Sequence, residues 1–325
     1  MCLSGSADQS QRGRRDVTGL VTTAARQPAP RRGYAFVVRG RRVASIAGAV
    51  LRNPTTAIGT GVIVLMLLMA VFAPALVPVN PTGSYQMPRD FAVVHMPPGT
   101  PGHLLGTNSL GGDVLYGIVW GSRLSLLLSF LVVGIATLIG LIVGSVAGMS
   151  GGKIDGVLMR IADVFLSVPE LIFPLTIAAV LGPSFKNIIL ALAVVIWPRY
   201  ARIARSRIIQ VREEGYVRAA RSIGDSRLNI VRRDILPNSM TPIAVQATLD
   251  MGHVVLLGAT LSFLGLSQAG LAEWGRLVSV GQEGITAGWW WTSTFSGLMI
   301  FLWALSFSLV GDGLRDVLDP RTEGR

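Results

Sequence analysis

Six separate runs of apolar residues decide what this 325-residue chain can fold into. They lie near 57–78, 124–148, 157–181, 185–203, 242–264 and 289–311. Each is long enough, at about 20 residues, to cross the hydrocarbon core of a bilayer as a helix. Within lipid every backbone N–H and C=O must be satisfied inside the segment, which leaves the helix as the form available to single runs. The expected fold is therefore an all-α integral membrane protein with six transmembrane helices. Composition points the same way: 50% of the residues are hydrophobic and 14% charged, and mean hydropathy is +0.54.

The formal charge of +11 invites a nucleic-acid reading, but a nucleic-acid binder carries its basic stripe on a soluble fold. Here the basic residues flank the apolar runs. Counted by alternate sides of the six spans, Lys and Arg divide 25 against 4. The richer side faces the cytoplasm, which puts both termini and the segment 199–241 there. Trp289, Trp290 and Trp291 then fall at the outer end of the last span, where amphipathic rings favour the interface.

Three regions follow. Residues 1–50, rich in Ser, Gly, Gln, Pro and Arg, read as a disordered basic cytoplasmic arm. Residues 51–123 hold the first transmembrane helix and an extracytoplasmic loop. Residues 124–321 form a five-helix core that includes the loop 199–241.

The chain lacks the residues for catalysis of its own. The nearest approach to a nucleotide-binding loop is Gly151-Gly152-Lys153, but Ile154 follows, and Ala147 stands where the first glycine belongs. His95, His103 and His253 lie far apart, and Cys2 is the single cysteine, so no metal site, cofactor site or internal disulfide is expected. Any energy source must come from another polypeptide.

Two other patterns stand out within the spans. Gly140, Gly144 and Gly148 share one helical face, where small residues let a second helix approach closely; the neighbour is either internal or a partner subunit. Ionisable groups inside a span cost about 2.5–3.5 kcal/mol at the bilayer centre, so they mark function. Asp163 lies close to Arg160, consistent with a local pair. Glu170 follows Pro169, and Gln246, Asp250 and His253 share the fifth span. Glu170 and Asp250 either face a wet path as temporary partners for an ammonium group, or Asp250 pairs with a basic residue of a partner subunit.

The segment after span four has helix formers from Arg212 to Ile223, with Glu214 four residues before Arg218 in the favourable order. Ala219 and Ala220 make a small-residue patch. Gly224 suits a helix end with positive φ, and Asp225 or Ser226 can cap a second short helix. Leu228, Val231 and Ile235 share a face of it, and Pro237 and Pro242 break the pattern before span five. Two short helices and a turn are expected, either as a solvated basic loop or as a socket for a cytoplasmic protein.

The pattern Tyr216-x-x-Ala219-Ala220-x-x-x-Gly224, followed after eleven residues by Leu236-Pro237, resembles the EAA loop of ABC-importer permeases. Arg218 stands at that motif's glutamate. The run from His103 to Val114 is similar to the segment before the second helix of dipeptide and oligopeptide C-type permeases, with Asn108 and Gly112 departing from its usual aspartate and arginine. Leu181–Ser184, Leu261–Leu266 and Gly311–Arg321 also match. The resemblance implies a coupling helix between helices four and five, with Tyr216, Arg218, Ala219, Ala220, Arg221, Gly224, Asp225, Ser226, Leu236 and Pro237 at the ATPase contact. It implies a B-type permease partner, two cytoplasmic ATPases that bind ATP and Mg, an external substrate-binding protein, and a peptide substrate crossing a bacterial inner membrane. Import of nickel or another small solute, or a self-sufficient secondary transporter, are the alternatives. The latter requires inverted repeats, which the sequence does not show.

Overall fold

Asn53 opens the first helix: its side-chain Oδ1 accepts from the Thr55 N–H at 3.2 Å, and Pro54 occupies the first helical position, where its missing N–H is no loss. From there the computed structural model describes residues 53–81, 83 and 85–318. The basic arm and the end of the 311–321 motif lie outside the described residues.

Eleven α-helices are described: α1 Pro54–Val71, the short α2 Ala73–Leu76, α3 Val114–Ser150, α4 Gly152–Ser167, α5 Ile172–Leu181, α6 Phe185–Arg212, α7 Gly215–Ser222, α8 Arg227–Ile230, α9 Leu236–Phe263, α10 Trp274–Gln282 and α11 Trp291–Leu318. A π-helical turn, Val231–Ile235, joins α8 to α9. Five helical stretches are long and apolar enough to span a membrane, and α4 with α5 makes a sixth if that bent pair is one span.

The third apolar run was expected as one helix over 157–181; it is two, bent by 87°. Pro169 is the cause. A residue before proline is pushed out of the helical region, and Val168 is extended at φ −87°, ψ 136°. Pro198 has no such effect. The fourth span was expected to give way to loop near 203, yet α6 continues to Arg212. An internal proline disfavours a helix by about 3 kcal/mol, and here burial outweighs it: Tyr200, Ala201, Ala204 and Ile208 are all fully covered. Residues 199–212 therefore belong to α6 and 236–241 to α9, which narrows the expected loop 199–241 to 213–235.

The helix that covers α6 is α3. A Cβ built on Gly140 would lie 2.3 Å from the Tyr200 Cβ, and one on Gly144 would lie 2.7 Å from the Ala204 Cβ. On Gly148 it would meet the Ile208 Cγ2 at 2.9 Å. The glycine stripe thus has an internal neighbour. Around this seam Leu128, Val132 and Ala136 of α3 pack with Ile188, Leu192 and Ile196 of α6 and with Val254 and Leu261 of α9. A second cluster joins Met66 of α1, Val255 of α9 and Trp303 and Phe307 of α11.

The far end is closed by loops held to helix ends. Arg123 donates to the carbonyls of Ala70 and Val71, the last of α1, which have no helical partners of their own. Asp113 caps α3 by accepting from the Tyr116 N–H at 2.9 Å and meets His103 Nδ1 at 2.8 Å. Asn108, one of the departures from the permease pattern, accepts from the N–H groups of Leu110 and Gly112, both at 2.8 Å. Trp291 is not at an interface: it is buried and its indole N–H donates to the Thr107 carbonyl at 2.9 Å. Trp289 and Trp290 are exposed, and Trp289 stacks on His95 at 3.5 Å.

Candidate functional site

Two constellations stand on the same pair of helices. The first is the 213–235 loop between α6 and α9. Gly224 ends α7 with φ +83°; Asp225 N–H reaches the Ala220 carbonyl at 3.2 Å and Gly224 N–H the Arg221 carbonyl at 3.1 Å. This is the Schellman arrangement, which needs a residue at ease in the left-handed region. Ser226 Oγ then accepts from the Asn229 N–H at 3.3 Å and starts α8. Asp225 Oδ1 accepts from the Ser226 N–H at 2.8 Å and from Asn229 Nδ2 at 3.1 Å, which braces the turn.

The loop is anchored from beneath. Val217, Ile230 and Ile235 are buried in the main core with Ile208 and Val211 of α6, and Ala220 and Leu236 pack on its edge. Pro237 lies in the first turn of α9. Outward, Tyr216, Arg218, Ala219, Arg221 and Ser222 are exposed. So are two residues that the sequence pattern did not assign to the contact: Ile223 at 85% and Leu228 at 66%. Leu228, expected to share a face with Val231 and Ile235, is turned outward, and Ile230 packs inward with Ile235 instead, because the Ser226 cap fixes the phase of α8. A loop that leaves Tyr216, Ile223 and Leu228 in the open presents apolar surface of the kind that marks a protein contact.

The second constellation is a lattice of charges. Arg199 of α6 donates to Glu170 Oε1 at 2.9 Å and to Asp250 Oδ1 at 3.1 Å. Gln246 Nε2 donates to the same Asp250 oxygen at 2.9 Å, and His253 Nε2 meets Glu170 Oε1 at 3.0 Å. The four intramembrane residues singled out in the sequence therefore converge, and the residue that joins them is Arg199. Its signal was available: it follows Pro198 at the end of an apolar run, where an arginine needs a partner. Asp250, 2% exposed, is paired within the chain.

The pairing continues along α6. Arg202 bonds Asp163, so the expected local pair with Arg160 gives way to a bond across helices. Arg205 grips both oxygens of Asp155. Three arginines on α6 thus zip antiparallel against acids of α4 and the α4–α5 bend, a use for these charges beyond setting topology. Arg199 lies roughly 20 Å along α6 from the loop, and Asp250 a similar distance along α9, at 1.5 Å per helical residue. The lattice therefore ties together, far from the loop, the two helices that flank it.

The chain has known relatives. The family model for the binding-protein-dependent transport system inner membrane component matches residues 136–324, and the N-terminal TM domain of oligopeptide transport permease C matches residues 49–98. The chain is 41% identical over 274 residues to a probable D,D-dipeptide transport system permease protein of Escherichia coli (strain K12), over 84% of this chain and 90% of that one. It is 38% identical over 276 residues to the dipeptide transport system permease protein DppC of Alkalihalophilus pseudofirmus, over 83% and 87% of the two chains. Among solved structures, an inward-facing form of the MetNI methionine ABC transporter shares the fold with a TM-score of 0.52 at 19% identity, over 63% of this chain and 98% of that chain. This chain therefore belongs to the binding-protein-dependent transport system inner membrane component family, as a membrane permease.

Proposed function

We propose that this permease forms half of the translocation path of an ATP-driven importer of dipeptides and oligopeptides in a bacterial inner membrane, with both termini in the cytoplasm. It does no chemistry itself. Two cytoplasmic ATPases bind ATP and Mg, a homologous B-type permease supplies the other half of the path, and an external binding protein delivers the peptide.

The observation that carries the reading is the α7–Gly224–α8 element. It is fixed from below by Val217, Ile230 and Ile235 and leaves Tyr216, Ile223 and Leu228 uncovered. An ATPase groove that receives this element would move α6 and α9 as rigid bodies, the kind of motion that switches packed helices between two discrete arrangements. The peptide substrate is supported by the dipeptide permeases among its relatives. Glu170, Gln246, Asp250 and His253 then form, with Arg199, a brace beside the path. The brace has two carboxylates to one guanidinium, and this acidic set suits the ammonium end of a peptide.

Co-expression with its partner subunits and reconstitution into liposomes tests this. ATP-dependent uptake of labelled dialanine is expected from the complex and none from the chain alone. Ile223→Glu should lose the ATPases on purification while the chain still inserts. Uptake or ATP hydrolysis by the isolated chain would refute the assignment.

A further inference from the structure

The ends of α6, α9 and α11 that lie nearest the docking loop border an open cavity of about 820 Å³. Besides the neutral polar Ser206, Gln210, Thr241 and Gln246, its walls are of two kinds. Ile203, Val245 and Leu249 form an apolar side, Arg202, Arg207 and Arg315 bring cationic groups, and no carboxylate lines it among the described residues. Arg202 is already committed to Asp163. Arg207 donates only to the neutral Gln210 Oε1, at 3.1 Å, among its bonds within the described residues, and Arg315 is exposed in the last turn of α11.

Like charges lining one cavity repel unless an anion sits between them, and guanidinium groups match phosphate oxygens with paired N–H donors. The apolar side asks for something else, a hydrocarbon chain. An inorganic phosphate would satisfy the arginines and leave Ile203, Val245 and Leu249 wet. A dipeptide would bring a carboxylate for the arginines, but its ammonium would find no acid in the lining. An anionic phospholipid meets both requirements, and basic pockets between membrane helices are where such headgroups bind.

We propose that this cavity is a binding site for an anionic phospholipid, with Arg207 and Arg315 on the headgroup phosphate and the acyl chain against Ile203, Val245 and Leu249. Gln246 of the brace also lines this cavity, so the site adjoins the peptide path, but it does not depend on which solute is moved.

Native mass spectrometry of the full chain in neutral detergent, titrated with phosphatidylglycerol or phosphatidylcholine, tests it. One phosphatidylglycerol should be retained and phosphatidylcholine not. At about tenfold per lost contact or somewhat less, as expected for a basic residue at an anionic membrane surface, the R207Q/R315Q variant should bind phosphatidylglycerol at least tenfold more weakly. R207K/R315K should recover most of the affinity, and Arg160→Gln, outside the cavity, should leave it unchanged. Equal retention of the two lipids by the unaltered chain would overturn the proposal without any variant being needed. So would undiminished phosphatidylglycerol binding in R207Q/R315Q. Displacement of the lipid by millimolar inorganic phosphate would assign the site to a soluble anion instead, and displacement by dialanine would assign it to the transported peptide; either result sinks the lipid assignment.

Discussion

Arg199 of α6 and Asp250 of α9 form an ion pair, Nη1 to Oδ1 at 3.1 Å, in which the carboxylate side chain is 3% exposed and the guanidinium 35%. The inequality matters. Asp250 has surrendered its water and depends on Arg199 and Gln246 for compensation, whereas Arg199 retains solvent and a second carboxylate, Glu170.

The asymmetry predicts which partner is indispensable. Arg199→Met leaves a buried carboxylate without its cation and should destabilise the chain by about 3–5 kcal/mol, the range for breaking one side of a buried pair. Asp250→Asn should cost less, because Gln246 can still donate to the amide oxygen and Arg199 keeps Glu170. The double variant R199M/D250N should be more stable than R199M. Thermal unfolding of the full chain in detergent measures all three, and additive losses would show that the pair is not coupled.

The glycine seam makes a second prediction. At Gly140 a methyl group would lie 2.3 Å from the Tyr200 Cβ and 2.8 Å from the Trp197 carbonyl oxygen, so α3 and α6 must separate to admit it. Overpacking of this kind costs typically about 1–3 kcal/mol. Gly134 on the same helix has nothing within 4 Å of its would-be Cβ, and there alanine should be neutral or slightly stabilising, since it is the better helix former. Equal melting temperatures for G140A and G134A would contradict the seam.

Much of this architecture was legible in the sequence because lipid imposes strong rules. Run length located the spans, and the turn chemistry of Gly224 and Ser226 located the two short helices of the loop. What was not legible depended on neighbours. Pro169 bends its span and Pro198 does not, although both interrupt apolar runs. The difference is the close covering of α6 by the α3 glycines, a contact between residues far apart in sequence. Leu228 lies outward because the Ser226 cap sets Ile230 inward, and two residues, roughly 200° of turn, carry a position from one helix face to the other. Arg199 is not legible as a site residue because it is one of ten arginines in the 199–241 stretch, where a topology-setting charge is the plainer reading, while its partners come from the α4–α5 bend and from α9.

At Gly224 the backbone sits at φ +83° with open space around the would-be Cβ. A substitution there meets no steric wall, only the left-handed conformation, which disfavours an L-residue by roughly 1–2 kcal/mol. Gly224→Ala should therefore loosen the α7 end without unfolding the chain, and Gly224→Asn, which tolerates this region better, should be milder. Proteolysis of the loop in the isolated chain reads the local effect. In the assembled importer, peptide uptake should fall in the order Gly, Asn, Ala while surface expression holds; full uptake in Gly224→Ala would mean the turn does not govern coupling.

The last prediction concerns Glu273, buried at the start of α10 between Ser262 and Ser267, whose hydroxyls donate to its two carboxyl oxygens at 2.7 Å each. Burial pushes its carboxyl above the usual carboxylate range, against the opposing pull of the two serines and Arg276. The sign follows from which state holds the proton more tightly. A raised value in the fold means that the native state binds the proton better than the unfolded chain. The stabilisation from this group is then fully present below the ordinary value of 4.5 and is lost as pH rises through the folded-state value. Glu273→Gln, which keeps a neutral group able to accept from one serine and donate to the other, should flatten that part of the stability profile and leave the chain at least as stable at neutral pH. Glu273→Ala should cost about 1–3 kcal/mol at low pH, because two buried hydroxyls lose their partner, and less as pH rises and the native side chain loses its own stabilisation. Melting temperatures of the full chain in detergent across this pH range distinguish the two variants, and a pH dependence that survives in Glu273→Gln would place the titrating group elsewhere.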